Sequence, residues 1–294
     1  MSEKRKDPEV TDDVNDTPKD TQPAEKAQKT DVSTEQPKQT VEDSLENSEE
    51  EMKTSWDGTG TQEELMYKDE CILVDENDVV VGHENKYASH RFVPETPTGK
   101  LHRAFSVFLF NEEGKLLLQQ RASDKITFPD VWTNTCCSHP LYGYSPTEID
   151  TPEDLANLTL FGVKRAAVRK LDQELGIKKD DIPIENFKYL TRLHYCAKDE
   201  VTYGPDAEWG EHEVDYILFI KAKVSMTPNP EEVRDTKYVT AEELKEMMHV
   251  DSGLKWSPWF RIIAEKFLYE WWESLETALT TDKFVDNTTI HHVL

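Results

Sequence analysis

The chain has 294 residues, of which 59 are acidic and 34 basic, for a formal net charge of −25. Such an acidic chain repels phosphate backbones and anionic lipid, which argues against nucleic acid or a membrane surface as a partner. No run approaches the roughly 18 apolar residues of a membrane-spanning helix. The opening residues, MSEKRKDPEV, lack the apolar core of a secretory signal, and the acids around them suit a transit peptide poorly. Four cysteines (Cys71, Cys136, Cys137 and Cys196) are too few for a disulfide scaffold, so reduced thiols and a cytoplasmic address are expected.

The first 64 residues hold 19 acids, 8 bases, four prolines and one aromatic, Trp56. A segment of that kind buries too little apolar surface to offset chain entropy, so residues 1–64 are expected to form a disordered acidic tail. Residues 65–294 carry −14 and nearly all the aromatics, enough for one folded domain.

In chain order, Cys71–Asp75 and Val79–Val81 flank the turn signal Glu-Asn-Asp, which predicts a hairpin. Phe105–Phe110 and Lys115–Gln119 flank Asn111-Glu-Glu-Gly114 and predict a second. Pro152–Leu175 reads as one helix, opened by acids and closed by Gly176. Phe187–Tyr195 and Val214–Val224 are apolar and β-branched enough for strands. Ala241–Met248 reads as a short helix, and Pro258–Leu279 as a long aromatic one. The expected fold is α/β (α+β), a mixed sheet sandwiched by helices.

Chemistry concentrates in a few segments. In Trp132-Thr-Asn-Thr-Cys-Cys-Ser-His-Pro140 a cysteine stands two residues before a histidine among small polar residues. A thiol can exchange a proton and an imidazole can bind metal. The plain alternative is a pair of buried cysteines acting as small hydrophobes. In Trp209-Gly-Glu-His-Glu-Val-Asp215, Glu211 and Glu213 are two apart, so on a strand they share a face. Two converging acids repel unless a cation or proton lies between them; the alternative is a solvated strand edge. His90 and His102 bracket a loop with two prolines. With His139, Glu211 and Glu213 they make a donor set suited to Mn²⁺, Mg²⁺ or Zn²⁺.

The segment Arg169-Lys-Leu-Asp-Gln-Glu-Leu-Gly-Ile177 resembles the second half of a Nudix box. Lys170 and Gln173 replace two of its usual three acids, leaving Glu174. Leu101–Phe110, Leu116–Arg121, Lys125-Ile-Thr-Phe-Pro129, Asn134–Leu141, Trp209–Leu218, Ser257-Pro-Trp-Phe260 and Trp271-Trp272 extend the likeness. From about residue 67 onward the chain resembles the eukaryotic type I isopentenyl-diphosphate isomerases of the Nudix superfamily. The resemblance implies a Nudix-type mixed sheet. It implies an enzyme of isoprenoid biosynthesis that moves the double bond of isopentenyl diphosphate through a tertiary carbocation. By resemblance Cys137 and Glu213 are the acid–base pair, Tyr195 assists them, and Trp259 lies over the cation. Lys86, Arg121, Lys125 and Lys170 contact the diphosphate, and Glu174 ligates a bridging Mg²⁺. His90, His102, His139, Glu211 and Glu213 hold a second divalent ion. A small isoprenyl diphosphate is the expected partner of a monomer, with no nucleic acid and no membrane.

Two other readings differ in their sequence signature. A Nudix hydrolase acting on nucleoside diphosphate derivatives keeps the full set of helix glutamates, which Lys170 and Gln173 interrupt in this chain. An inactive binding module lacks the cysteine, a metal histidine or a strand glutamate, all of which are present. Deletion of residues 1–60 is expected to leave turnover and melting temperature nearly unchanged. A loss of many degrees in a thermal melt would contradict that.

Overall fold

The computed structural model describes residues 61–293. The expected disordered tail lies outside the described residues except at its end. There Thr61 and Glu64 form a capping box for helix α1 (Gln62–Lys68), which crosses the boundary expected at 64/65.

The elements that follow are β1 (Glu70–Val74), β2 (Val80–Asn85), α2 (Lys86–Ser89), β3 (His102–Phe110) and β4 (Leu116–Arg121). Next come β5 (Trp132–Thr133), β6 (Cys136–Ser138), α3 (Pro152–Ala156), α4 (Phe161–Leu175) and β7 (Lys188–Lys198). Then follow α5 (Glu200–Tyr203), β8 (Gly210–Lys221), β9 (Val233–Val239) and α6 (Ala241–Met248). The last are α7 (Pro258–Ile263), α8 (Tyr269–Glu273), α9 (Leu275–Thr280) and β10 (Ile290–His292). The strand order is β10-β7-β8-β3-β1-β2, with β6 also on β3, and β4 joined to β3, β5 and β9.

Strand β3 is the axis of the sheet, buried along its whole length. It runs parallel to β8 from His102↔Glu213 to Phe110↔Lys221, and β8 runs antiparallel to β7 with Tyr195↔Glu213. One row of the sheet therefore carries His102, Glu213 and Tyr195. Antiparallel β6 adds Cys137 opposite Ser106 on β3. Successive residues of a strand point to opposite faces, and each face has its own core. One packs Phe108, Leu193, Tyr195, Ile217 and Phe219 under the C-terminal helices. The other packs Val107, Cys136, Val214, Tyr216 and Leu218 under α4.

Four expectations need correction. The second predicted hairpin pairs only at Phe110↔Leu116. Beyond its turn β4 leaves β3 and pairs with β9 along most of its length, because β6 and β8 already occupy the two edges of β3. The predicted 152–175 helix is two helices. Leu158 and Leu160 take left-handed backbone at the break, and Thr159 bonds back to Asp154 through its amide and hydroxyl, turning α4 onto the sheet. The Val214–Val224 strand lies four residues earlier at its start and stops at Lys221. The single C-terminal helix is interrupted by a π-helical turn at Ala264–Leu268 and again at Ser274. An extra residue per turn resets the buried stripe. Trp271 then reaches Phe219 while its neighbour Trp272 reaches Phe110 and bonds to the Gly114 carbonyl.

Helix α4 is held at its start by Asp150, whose carboxylate accepts from the amides of Gly162 and Val163, both at 2.7 Å. Gly162 lets the helix approach, since a Cβ there would meet the Glu148 carbonyl at 2.5 Å. Gly176, at φ 67°, ends the helix. Asp150→Ala removes two bonds from buried amides and is expected to cost about 2–4 kcal/mol of stability. A chemical-denaturation curve that matches the parent protein would refute this anchoring role.

Candidate active site

His90 follows α2, His102 opens β3, His139 follows β6, and Glu211 and Glu213 lie on β8. All five are buried, and one ligand atom from each lies within 4.8 Å of the others. Nδ1 of His90 is 2.6 Å from the Lys86 carbonyl, and Nδ1 of His102 is 2.7 Å from that of Lys100. A carbonyl only accepts, so both Nδ1 atoms carry the hydrogen and both Nε2 atoms turn a lone pair inward. Those lone pairs face carboxylates. Nε2 of His90 is 2.8 Å from Glu211 Oε2, and Nε2 of His139 is 2.9 Å from Glu213 Oε1. Nε2 of His102 and Oε2 of Glu211 are buried without a hydrogen-bond partner. Inward lone pairs and anionic oxygens repel one another unless a cation stands among them, so the donors fit a divalent ion.

Without an ion, protons have to settle the cluster. Burial, and after it the neighbouring Glu211, push the Glu213 carboxyl well above its usual range. Burial pulls Glu211 the same way, but His90 and His139 hold it well below that range. With no cation among them, only one of the two acids carries charge. Burial also lowers His102 and His139, which favours the neutral imidazole that a metal ligand requires. Arg169 on α4 grips Glu148 through two bonds of 2.7 Å and donates to the His139 carbonyl, which fixes that end of the cluster.

Beside the cluster is a cavity of about 560 Å³, open mouth included, lined by Cys137, Tyr195, Glu213 and Trp259 on one part of its wall. The Tyr195 hydroxyl donates to Glu213 Oε2 at 2.5 Å. Burial pushes the Cys137 thiol up to about 12, so it stays protonated. Cys136 is fully buried in the α4 core, on the other face of β6. The Trp259 ring packs edge-on against Phe128, and its indole N–H donates to Asn134 Oδ1. Lys86, Arg121, Lys125, Lys170 and Glu174 line the rest of the cavity. Glu174 accepts from Gln119 at 2.9 Å and pairs with Lys170 at 3.1 Å. Arg121 spends Nε and one terminal nitrogen on the carbonyls of Phe128 and Thr127, and its other terminal nitrogen lies 4.0 Å from Cys137 Sγ.

All the site residues expected from the sequence meet around this cavity and cluster, although their elements are far apart in the chain. Several of their partners carry no such expectation. Asn134, inside the cysteine motif, orients Trp259; Thr127 bonds to Glu211; Gln119 holds Glu174; and Glu232 pairs with Lys125. Asn134 and Thr127 stand within segments whose composition already points to a site. Gln119 and Glu232 look like ordinary strand and loop residues.

A NUDIX domain model matches residues 100–260, from just before β3 into α7. The isopentenyl-diphosphate delta-isomerase of Gibberella zeae is 50% identical over 234 residues, covering 79% of this chain and 86% of that protein. That of Aspergillus fumigatus is 50% identical over 250 residues, covering 81% and 82%. The chloroplastic isopentenyl-diphosphate Delta-isomerase I of Arabidopsis thaliana is 50% identical over 234 residues, covering 78% and 75%. The fold and site define a Nudix protein, and within that class the chain belongs to the isopentenyl-diphosphate delta-isomerase family.

Protein purified without chelator is expected to retain about one divalent ion per chain through dialysis, read by elemental analysis. His102→Ala removes a donor that lies behind the pocket wall and should weaken retention at least tenfold. An undiminished equivalent in that variant would contradict the five-donor cluster.

Proposed function

We infer that the chain is an isomerase that interconverts isopentenyl diphosphate and dimethylallyl diphosphate in isoprenoid biosynthesis. The activity follows its family, and the geometry supports one assignment of residue roles best. One observation carries that reading: a cysteine thiol and a tyrosine-bonded carboxyl line a single cavity that also holds four basic side chains.

The reaction adds a proton to the terminal alkene carbon and removes one from the carbon on the far side of the resulting tertiary cation. It needs two proton-exchanging groups and a pocket that does not quench the cation. Cys137 and Glu213 take those two parts, and Tyr195 moves or shares the proton on Glu213. Trp259 offers its π face to the cation, which attracts positive charge without adding to it. Lys86, Arg121, Lys125 and Lys170 bind the diphosphate. Bound by His90, His102, His139, Glu211 and Glu213, a divalent ion (Mn²⁺, Mg²⁺ or Zn²⁺) supplies the positive charge that orients Glu213 and tunes its acidity. At Glu174, Mg²⁺ supplies further countercharge to the diphosphate oxygens.

Hydrolysis is the weaker reading. Lys170 and Gln173 stand where hydrolase acids are expected. Incubation with isopentenyl diphosphate and Mg²⁺ is expected to give dimethylallyl diphosphate without phosphate release. Phosphate release from nucleoside diphosphate derivatives would favour the hydrolase.

The same reading takes the protein as a cytoplasmic monomer with no nucleic-acid or membrane partner. The net charge of −25 and four free cysteines support it. Among the described residues no helix is long and apolar enough to cross a membrane. Relatives from Cannabis sativa and Arabidopsis thaliana carry chloroplastic names, so cell fractionation decides the address.

The adjacent cysteines give a controlled test. Cys137→Ala should lower kcat by at least about 10²-fold, the lower end of what a general acid–base group contributes. Cys136→Ala should retain much of the activity and show its cost in stability instead. A dead Cys136→Ala enzyme beside a normal Cys137→Ala enzyme would reverse the assignment.

A further inference from the structure

Glu232, just before β9, is a buried carboxylate, 4% exposed, that does not line the cavity. Its Oε2 accepts from Lys125 Nζ at 2.6 Å, and its Oε1 accepts from Gln173 Nε2 at 2.9 Å. The same Oε1 is 3.9 Å from Lys170 Nζ. Lys125 comes from the loop after β4 and Lys170 from α4, and both line the cavity. One anion behind the wall thus joins two cations that approach from different elements.

The backbone around Glu232 is fixed from both sides. Its carbonyl accepts from the Ala122 amide at 3.0 Å, Val233 stands opposite Arg121, and the Asn229 amide donates to the Glu174 carbonyl at 2.9 Å. The carboxylate is therefore tied to the end of β4 and to the end of α4, the two elements that deliver the lysines.

A buried anion near a site for an anionic substrate is at first sight adverse. The surroundings of the lysines explain it. Burial lowers the Lys125 ammonium to about 8 even with Glu232 beside it. Burial acts on Glu232 in the opposite sense, yet Lys125 and then Lys170 hold its carboxyl far below the usual range. Without the carboxylate, Lys125 would face desolvation with no partner and lose its charge or swing out. Gln173 and Lys170 occupy the helix positions where the Nudix pattern has acids, and both turn toward Glu232. A carboxylate missing from α4 is returned from the edge of β9, one layer behind the cavity.

We propose that Glu232 is a positioning residue for substrate binding, which fixes the side chains of Lys125 and Lys170 where the diphosphate docks. The inference rests on the reading of this cavity as a diphosphate site, and the test separates the two. In steady-state assays of the full chain with isopentenyl diphosphate, Glu232→Gln should raise KM about tenfold and leave kcat within about threefold. The inhibition constant of inorganic diphosphate should rise in parallel. Lys125→Met alone should also raise KM. Adding Glu232→Gln to Lys125→Met should raise it by less than the roughly tenfold of Glu232→Gln alone, because the Lys125 pairing is already gone and only the hold on Lys170 remains to be lost.

An unchanged KM in Glu232→Gln, while Lys125→Met and Arg121→Ala raise theirs, would overturn the positioning role and leave the diphosphate site standing. Unchanged KM in all three would overturn the diphosphate reading and this inference with it. A loss of kcat at constant KM in Glu232→Gln would also overturn the role. If that variant does not fold, Glu232→Asp, which keeps the charge but withdraws it by one methylene, should show the same rise in KM at steady kcat. Parent kinetics in that variant would contradict the inference.

Discussion

Two imidazole lone pairs with fixed tautomers and two carboxylates point at one buried place, with a third histidine closing the cluster. The Lys86 and Lys100 carbonyls fix hydrogens of His90 and His102 on Nδ1, so protons alone quiet the cluster only by charging buried imidazoles or neutralising a carboxylate. A divalent cation among them would turn that repulsion into attraction. The sheet is arranged around it. Strand β3 brings His102 level with Glu213, β7 brings Tyr195 level with the same glutamate, and β6 leads into His139.

From that point the cavity combines two chemistries. Its wall carries a thiol, a carboxyl under a phenol and an indole ring. Basic side chains stand among them, Arg121 within 4.0 Å of Cys137 Sγ, and Lys125 and Lys170 are countered by Glu232 and Glu174. The combination fits a substrate with a hydrocarbon end and an anionic end. A chain of net charge −25 can still present a basic pocket: the acids are spread over the chain, while the bases gather at the site, Lys125 and Lys170 each paired with a carboxylate.

Much of this is legible in the sequence because the chemistry sits in short segments with their own spacing. A spacing of two between the carboxylates, or between Cys137 and His139, means one face of a strand whatever the rest of the fold does. The capped helix at Ala241–Met248 is equally local, and its bounds agree. What escapes depends on distant pairing. The hairpin turn at Asn111–Gly114 is a local signal, but the departure of β4 toward β9 is set by which strands already flank β3. Strand β9 itself, Val-Arg-Asp-Thr-Lys-Tyr-Val, has charged residues on its exposed side and offers no apolar run. Glu232 is hidden with it, since nothing local distinguishes a buried brace from a solvated acid. The breaks at Leu158–Leu160 and Ala264–Leu268 answer to packing on the sheet rather than to any proline or glycine.

The central claim is that the three histidines and two glutamates ligate one divalent ion. X-ray absorption at the edge of the bound metal in the full-length protein tests it most directly. The expected nearest shell mixes nitrogen and oxygen and carries the outer-shell scattering of three imidazoles. A shell of oxygen alone, or one with a single imidazole, would contradict it.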